Sequence, residues 1–281
     1  MIANNFEYAK PASLAEALNL LADGSAKALA GGMSLIPMMK LRLASPEKLV
    51  DLSGVPNLAA ISESGGTIRI GATATHYAIE SSPVCRAKCP LISETAASIG
   101  DVQVRNCGTL GGAAAHADPS ADYPAALLAL EAKFLVASKS GTRTVEARDL
   151  FVDALTTSLE PGELIQEIQL PSDDSGTGTC YKKVYQPASG YATVGIAVRV
   201  SKSGGKISFA RVGVTGLATK AFRARGVEDA LVAGKSSAEA AALVTNGVDA
   251  NSDIHASADY RNHLAQVTTA RAIEVALARI A

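Results

Sequence analysis

Apolar positions near the start of the chain recur at two spacings. In SLAEALNLLAD, Leu14, Leu18 and Leu21 return every three or four residues, which is one face of a helix. Ser13 stands where a cap would start that helix and Gly24 where one would stop it. KALAGG is a short apolar run closed by glycines, and KLVDLS, residues 48–53, is a second run. Both predict strands, so the first fifty residues read as an α/β unit. After the Gly65-Gly66 turn, TIRIGATATH alternates as a strand does. PLISETAASIG predicts a helix ending at Gly100. DYPAALLALEAKFLVAS predicts a helix running into a strand, and GELIQEIQLP a further strand.

The pattern breaks at PSDDSGTGT, residues 171–179, where turn formers and acidic residues mark a linker. Beyond it ATVGIAVRV and KISFARVGVTG alternate around Gly204-Gly205, the signature of a hairpin. Three helical segments follow. The last, SADYRNHLAQVTTARAIEVALARIA, carries Leu264, Val267, Ile273 and Leu277 as the apolar face expected to pack on a sheet. The reading is an α+β chain of two domains, 1–174 and 175–281, the first dividing near residue 55.

Composition narrows the function classes. The chain has 281 residues, enough for two domains and a large core. A net charge of -1 gives no electrostatic case for nucleic acid or an anionic membrane surface. No apolar run reaches the length of a membrane span, so a cytoplasmic location is expected. Four cysteines do not make a disulfide framework in a chain this long. Cys85 and Cys89 read as reduced thiols one helical turn apart rather than half of an iron–sulfur or metal site, and no metal-ligating set is predicted.

The chemistry lies in two glycine segments about eighty residues apart, LAGGMSLIPMMKLRL and NCGTLGGAAAHADPSADYP. Glycine lets a backbone approach a phosphate closely, because no Cβ intervenes. The single G-x-G-x-x-G loop of a Rossmann fold is absent, as is the G-K-[ST] of a P-loop. If a dinucleotide binds, two separate loops would clamp it, without a helix start in the Rossmann manner. A glycine pair after a strand is most often only a turn, and the hydroxyls of Ser34 and Thr109 add modest weight.

KALAGGMSLIPMMKLRLASPEKLVDL together with IGDVQVRNCGTLGGAAAHADPSADYPAALLAL resembles the FAD-binding medium subunit of the molybdenum hydroxylases, the xanthine dehydrogenase and aerobic carbon monoxide dehydrogenase family. The resemblance spans nearly the whole chain. It implies a vanillyl-alcohol-oxidase (PCMH)-type FAD-binding domain of two α/β subdomains, followed by a smaller C-terminal α+β domain. It further implies FAD in this chain, and molybdopterin and [2Fe-2S] clusters in a large and a small partner subunit, assembled as a dimer of heterotrimers. Substrate would be oxidised in another chain and electrons would leave through this one, so no catalytic residue is expected here. A self-sufficient flavin oxidoreductase and a scaffold that has lost FAD are the competing readings.

By the same resemblance, Ala28, Leu29, Ala30, Gly31, Gly32, Met33, Ser34 and Leu35 form the loop around the pyrophosphate and ribityl chain. Thr109, Gly111, Gly112 and Ala113 form the second loop, with Ile99 and His116 nearby. Asp122 matches an acid at the adenosine end, Ile165 an apolar contact to the adenine, Lys183 a lysine near the electron-rich edge of the flavin, and Tyr191 an aromatic over the ring. The family has His or Gln where Met33 stands, Ser where Ala113 stands and Asn where His116 stands. After Lys183 it has Arg and Asp, where this chain has Gln186, Pro187 and Gly190.

Overall fold

The predicted α/β unit opens the computed structural model, which describes residues 2–280. Strand β1 (Glu7–Ala9) is followed by helix α1 (Leu14–Leu21), β2 (Ala26–Leu29), α2 (Leu35–Lys40) and β3 (Lys48–Asp51). The strands are parallel, in the order β1-β3-β2. Ser13 accepts a hydrogen bond from the Glu16 N–H and so starts α1. The helix buries Ala17, Leu18 and Leu21 in one cluster with Val50 and Leu52.

The next stretch holds β4 (Ile61–Ser64), β5 (Thr67–Gly71) and six short helices: α3 (His76–Ser81), α4 (Pro83–Lys88), α5 (Pro90–Ala97), α6 (Val102–Cys107), α7 (Leu110–His116) and α8 (Tyr123–Ala129). Then come β6 (Lys133–Ser138), β7 (Gly141–Glu146), α9 (Ala147–Leu150), β8 (Phe151–Asp153), β9 (Thr156–Thr157) and β10 (Leu164–Pro171). A five-stranded sheet runs β4-β5-β10-β6-β7, antiparallel throughout. Alternate residues such as Ile68, Ile70, Phe134, Val136 and Ile168 point to one core, which Leu91, Ile92 and Leu127 complete. Cys85 and Cys89 are free thiols buried in that core.

The last hundred residues form β11 (Thr177–Tyr185), β12 (Ala192–Ser203), β13 (Lys206–Thr215), β14 (Phe222–Arg223), α10 (Arg225–Val232), α11 (Ser237–Ala241) and α12 (Ala258–Ala278). The strands make an antiparallel sheet in sequence order. Gly204 and Gly205 sit at φ 57° and 78°, as a two-residue hairpin of the primed type requires. Helix α12 differs from its predicted face. Its buried residues are Arg261, Ala265, Thr268, Thr269, Ala272, Ile273 and Ala276, whereas Leu264 and Leu277 are only partly buried. The reason is proximity. A Cβ on Gly178 would collide with the Ala276 carbonyl, its carbon only 3.0 Å away, so the helix lies too near β11 for leucines between them.

The two halves share a grip on residues 119–125. Thr215 Oγ1 donates toward the Pro119 and Ala121 carbonyls (2.9 and 2.7 Å), and the Ala192 and Gly216 N–H groups bond Ser120 and Pro119. On the other side of the seam Glu94 accepts from the Tyr181 N–H at 2.9 Å and pairs with Arg279 at 2.6 Å. Among the described residues no helix is long and apolar enough to cross a membrane.

Candidate cofactor site

The first glycine segment leaves β2 and enters α2 within six residues. Gly32 adopts φ 70°, a left-handed conformation that a side chain would strain, and this turns the chain. The Ile36 and Met38 N–H groups bond back to the Gly32 and Ser34 carbonyls. The N–H groups of residues 31–34 have no acceptor among the described residues. The segment is an arc of unspent donors.

The second segment is built otherwise. It was expected to remain a loop, yet Thr109 caps a helix here, its Oγ1 accepting from the Gly112 N–H at 3.2 Å. Gly111, Gly112 and Ala113 are therefore the first turn of α7. The Leu110 and Gly111 N–H groups bond the Ala74 and Ala72 carbonyls at 3.1 and 2.9 Å, and Ala113 bonds Thr109. A Cβ on Gly111 would lie 2.5–2.8 Å from Ala72 atoms, so glycine here lets α7 sit on the segment after β5.

The two segments meet. A Cβ on Gly31 would run into the Cys107 carbonyl and come within 2.8 Å of the Gly108 Cα. Beside this junction lies a cavity of about 810 Å³, within the range of cofactor sites. Residues 28–35 line it, as do Ile99, Thr109, Gly111, Gly112, Ala113, His116, Asp122, Ile165 and Tyr191. Of the predicted contacts only Lys183 does not.

Lys183 lies behind the wall instead. Its Nζ donates to Asp122 Oδ2 at 3.0 Å and to the Gly190 carbonyl at 2.7 Å, while Tyr181 Oη donates to Asp122 Oδ1. Asp122 and Lys183 side chains are 5% and 8% exposed, so this is a buried pair. Burial pushes the Asp122 carboxyl up, against the pull of Lys183 and the Tyr181 hydroxyl. A contact of 3.0 Å does not allow these two residues to serve opposite ends of an extended dinucleotide. Asp122 belongs with Lys183 beneath the turn that carries Tyr191.

Sequence reasoning missed His76 and Tyr123, which also line the cavity. His76 is the first residue of α3, and its N–H bonds the Gly108 carbonyl at 2.9 Å. Burial, and then the nearby Arg105 charge, push its pKa down to about 4, so the ring is neutral at pH 7. The TATH stretch offered one signal, a histidine just past a strand end and a threonine cap.

A donor arc, a junction where no Cβ fits and a cavity of about 810 Å³ lined by both glycine segments suit a dinucleotide with a diphosphate. The comparisons with known proteins agree. Residues 4–173 match the model described as the FAD-binding domain in molybdopterin dehydrogenase, and residues 179–276 match the carbon monoxide dehydrogenase flavoprotein C-terminal domain. The chain belongs to the FAD-binding medium subunits of the molybdenum hydroxylases. It is 40% identical to the carbon monoxide dehydrogenase medium chain of Hydrogenophaga pseudoflava, over 100% of both chains. It is 38% identical to the nicotine 6-hydroxylase medium subunit of Paenarthrobacter nicotinovorans, over 97% of each. Among solved structures it superposes on a chain of the H. pseudoflava carbon monoxide dehydrogenase lacking the Mo-pyranopterin moiety, with a TM-score of 0.96 at 41% identity and full coverage of both. Quinoline 2-oxidoreductase from Pseudomonas putida 86 gives 0.94 at 35% identity, also with full coverage. FAD is thus the cofactor of this chain.

Proposed function

We propose that this medium subunit is the electron outlet of its complex. Electrons from a small molecule oxidised at the molybdenum centre of a large subunit would pass through iron–sulfur clusters of a small subunit to FAD here. From there they would leave to an external acceptor such as NAD, a quinone or oxygen. FAD supplies the redox chemistry, and the chain binds it, orients it and shields it. The complex is assigned as a cytoplasmic dimer of heterotrimers, and its substrate class as an N-heterocycle, purine, aldehyde or carbon monoxide. The chain itself is assigned two domains, 1–174 and 175–281.

In this reading residues 31–34 donate to the diphosphate, while Thr109, Gly111, Gly112 and Ala113 give it a floor of small residues. Ile165 faces the adenine. Ile99 and Tyr191 flank the flavin, with His116 at the same wall. The Lys183–Asp122 pair holds the Gly190–Tyr191 turn, and its position near the flavin end makes it a support rather than a direct contact.

The observation that carries the reading is the junction of two glycine segments on a cavity of about 810 Å³. The test is to assay the pure FAD-loaded chain, with and without its partner chains, on N-heterocycles, purines, aldehydes and carbon monoxide. Reduction of the flavin by dithionite and turnover only with the partners are expected. Turnover of any substrate by the chain alone would overturn the reading and favour a self-sufficient flavoenzyme.

A further inference from the structure

The second residue layer of the cavity holds two polar atoms that nothing in the chain satisfies. His76 Nδ1 and Tyr123 Oη are both enclosed and without a hydrogen-bond partner among the described residues. The two side chains touch edge to face, with ring centroids 5.2 Å apart. His76 is 4% exposed and Tyr123 fully buried, yet both contribute to the cavity wall. An unsatisfied buried polar group destabilises a fold, so an imidazole held this way needs a reason beyond packing.

The placement of the ring shows what it can serve. Of its two nitrogens, Nδ1 is the enclosed one. The other edge lies flat on Gly108, where an added Cβ would strike Nε2 and stand 2.9 Å from Cδ2. A Cβ on Gly31 of the first segment would come within 2.8 Å of the Gly108 Cα, next to the Cys107 carbonyl that it meets first. The open nitrogen therefore stands at the junction, beside the donor arc of residues 31–34. A neutral imidazole carries one N–H. On Nδ1 that proton would be buried with no acceptor, so Nε2, beside Gly108 on the cavity side, is the nitrogen that carries it.

We infer that His76 is an unassigned FAD-binding residue, donating Nε2–H to the diphosphate of the cofactor at the junction of the two glycine segments. Tyr123 is its positioning residue, fixing the ring plane by edge contact. His76 adds a side-chain donor where the second segment has spent its own N–H groups, and a neutral one leaves Arg105 free to pair with Glu80, as it does at 2.9 Å. The inference rests on FAD occupying this cavity.

The experiment measures FAD binding to the apo chain by flavin fluorescence, with ADP as competitor, for the wild type and for His76→Phe, His76→Gln and Tyr123→Phe. His76→Phe keeps the aromatic packing and removes the donor. Its FAD affinity should fall on the order of tenfold or more, the range for a hydrogen bond to a charged group. ADP affinity should fall in parallel, because ADP carries the diphosphate. His76→Gln, whose amide reaches as far as Nε2, should recover part of the loss, and Tyr123→Phe should lose less than His76→Phe. The thermal midpoint of the apo chain should hold in His76→Phe while the increment added by FAD shrinks; a structural histidine would lower both states equally. Wild-type FAD affinity in His76→Phe would overturn the inference, as would a loss for FAD with none for ADP. If the wild-type chain itself bound no FAD, the cofactor assignment would fail instead.

Discussion

The two glycine segments look alike in sequence and act differently in the fold. Residues 31–34 keep their N–H groups for something outside the chain, and the turn depends on one left-handed glycine, Gly32. Residues 110–113 spend theirs on the Ala72 and Ala74 carbonyls and on Thr109, and glycine serves there for close packing. The first segment is a grip and the second a floor. Glycine content by itself marks where backbone comes close; only the hydrogen bonds tell whether it approaches a ligand or another part of the chain.

The largest effect should come where the two segments touch. In Gly31→Val the branched side chain would drive into the Cys107 carbonyl, and the less tethered first segment should yield. FAD binding should be lost in equilibrium titration while the apo chain stays folded by circular dichroism. An unfolded apo chain would show that the grip is as structural as the floor.

The next effect tests the floor through pH. His76 backs the second segment, and its folded pKa of about 4 lies below the ordinary histidine value of about 6.5. As pH falls below 6.5 the unfolded chain takes a proton that the folded chain refuses. Stability is therefore full above pH 6.5 and is lost as pH falls toward 4, by roughly 3 kcal/mol from this group. Denaturant titrations of the apo chain should show a shallower acid loss in His76→Phe than in the wild type. Identical slopes would remove His76 from the account.

Gly111→Ala should cost the apo fold about 1–3 kcal/mol, the usual range for overpacking, because Ala72 leaves no room. Smallest is the pair of hydroxyls. Thr109→Val removes a helix cap and should cost about 1 kcal/mol in the apo chain. Ser34 makes no capping bond, so Ser34→Ala should change apo stability by less than about 0.5 kcal/mol. Equal losses in the two would erase the distinction between grip and floor.

Much of this was legible in the chain itself. The parallel β2–β3 pair, the Gly204-Gly205 hairpin and the FAD motifs follow from spacing, turn chemistry and resemblance. What failed to show was tertiary in origin. The glycines of α7 argue against a helix on propensity, and they form one because Thr109 caps it and Ala72 lies against it. The leucines of the last helix looked like its core face, but close approach to β11 selected alanine and threonine. Asp122 and Lys183 are 61 residues apart, and no local pattern announces that they pair. His76 stood as one histidine in a strand-like stretch, without neighbours to mark it.

The grip on residues 119–125 reaches beyond cofactor geometry. The covalent join between the halves is the exposed stretch around Asp174 and Ser175, but the force-bearing join is the set of bonds from Thr215, Ala192 and Gly216 to Pro119, Ser120 and Ala121. A Cβ on Gly213 would meet the Ala125 backbone, so the sheet presses on α8 as well. Cutting the peptide at the seam would leave both pieces clasped, and heating would melt them in one transition. Proteolytic mapping would report two fragments where calorimetry reports a single cooperative body.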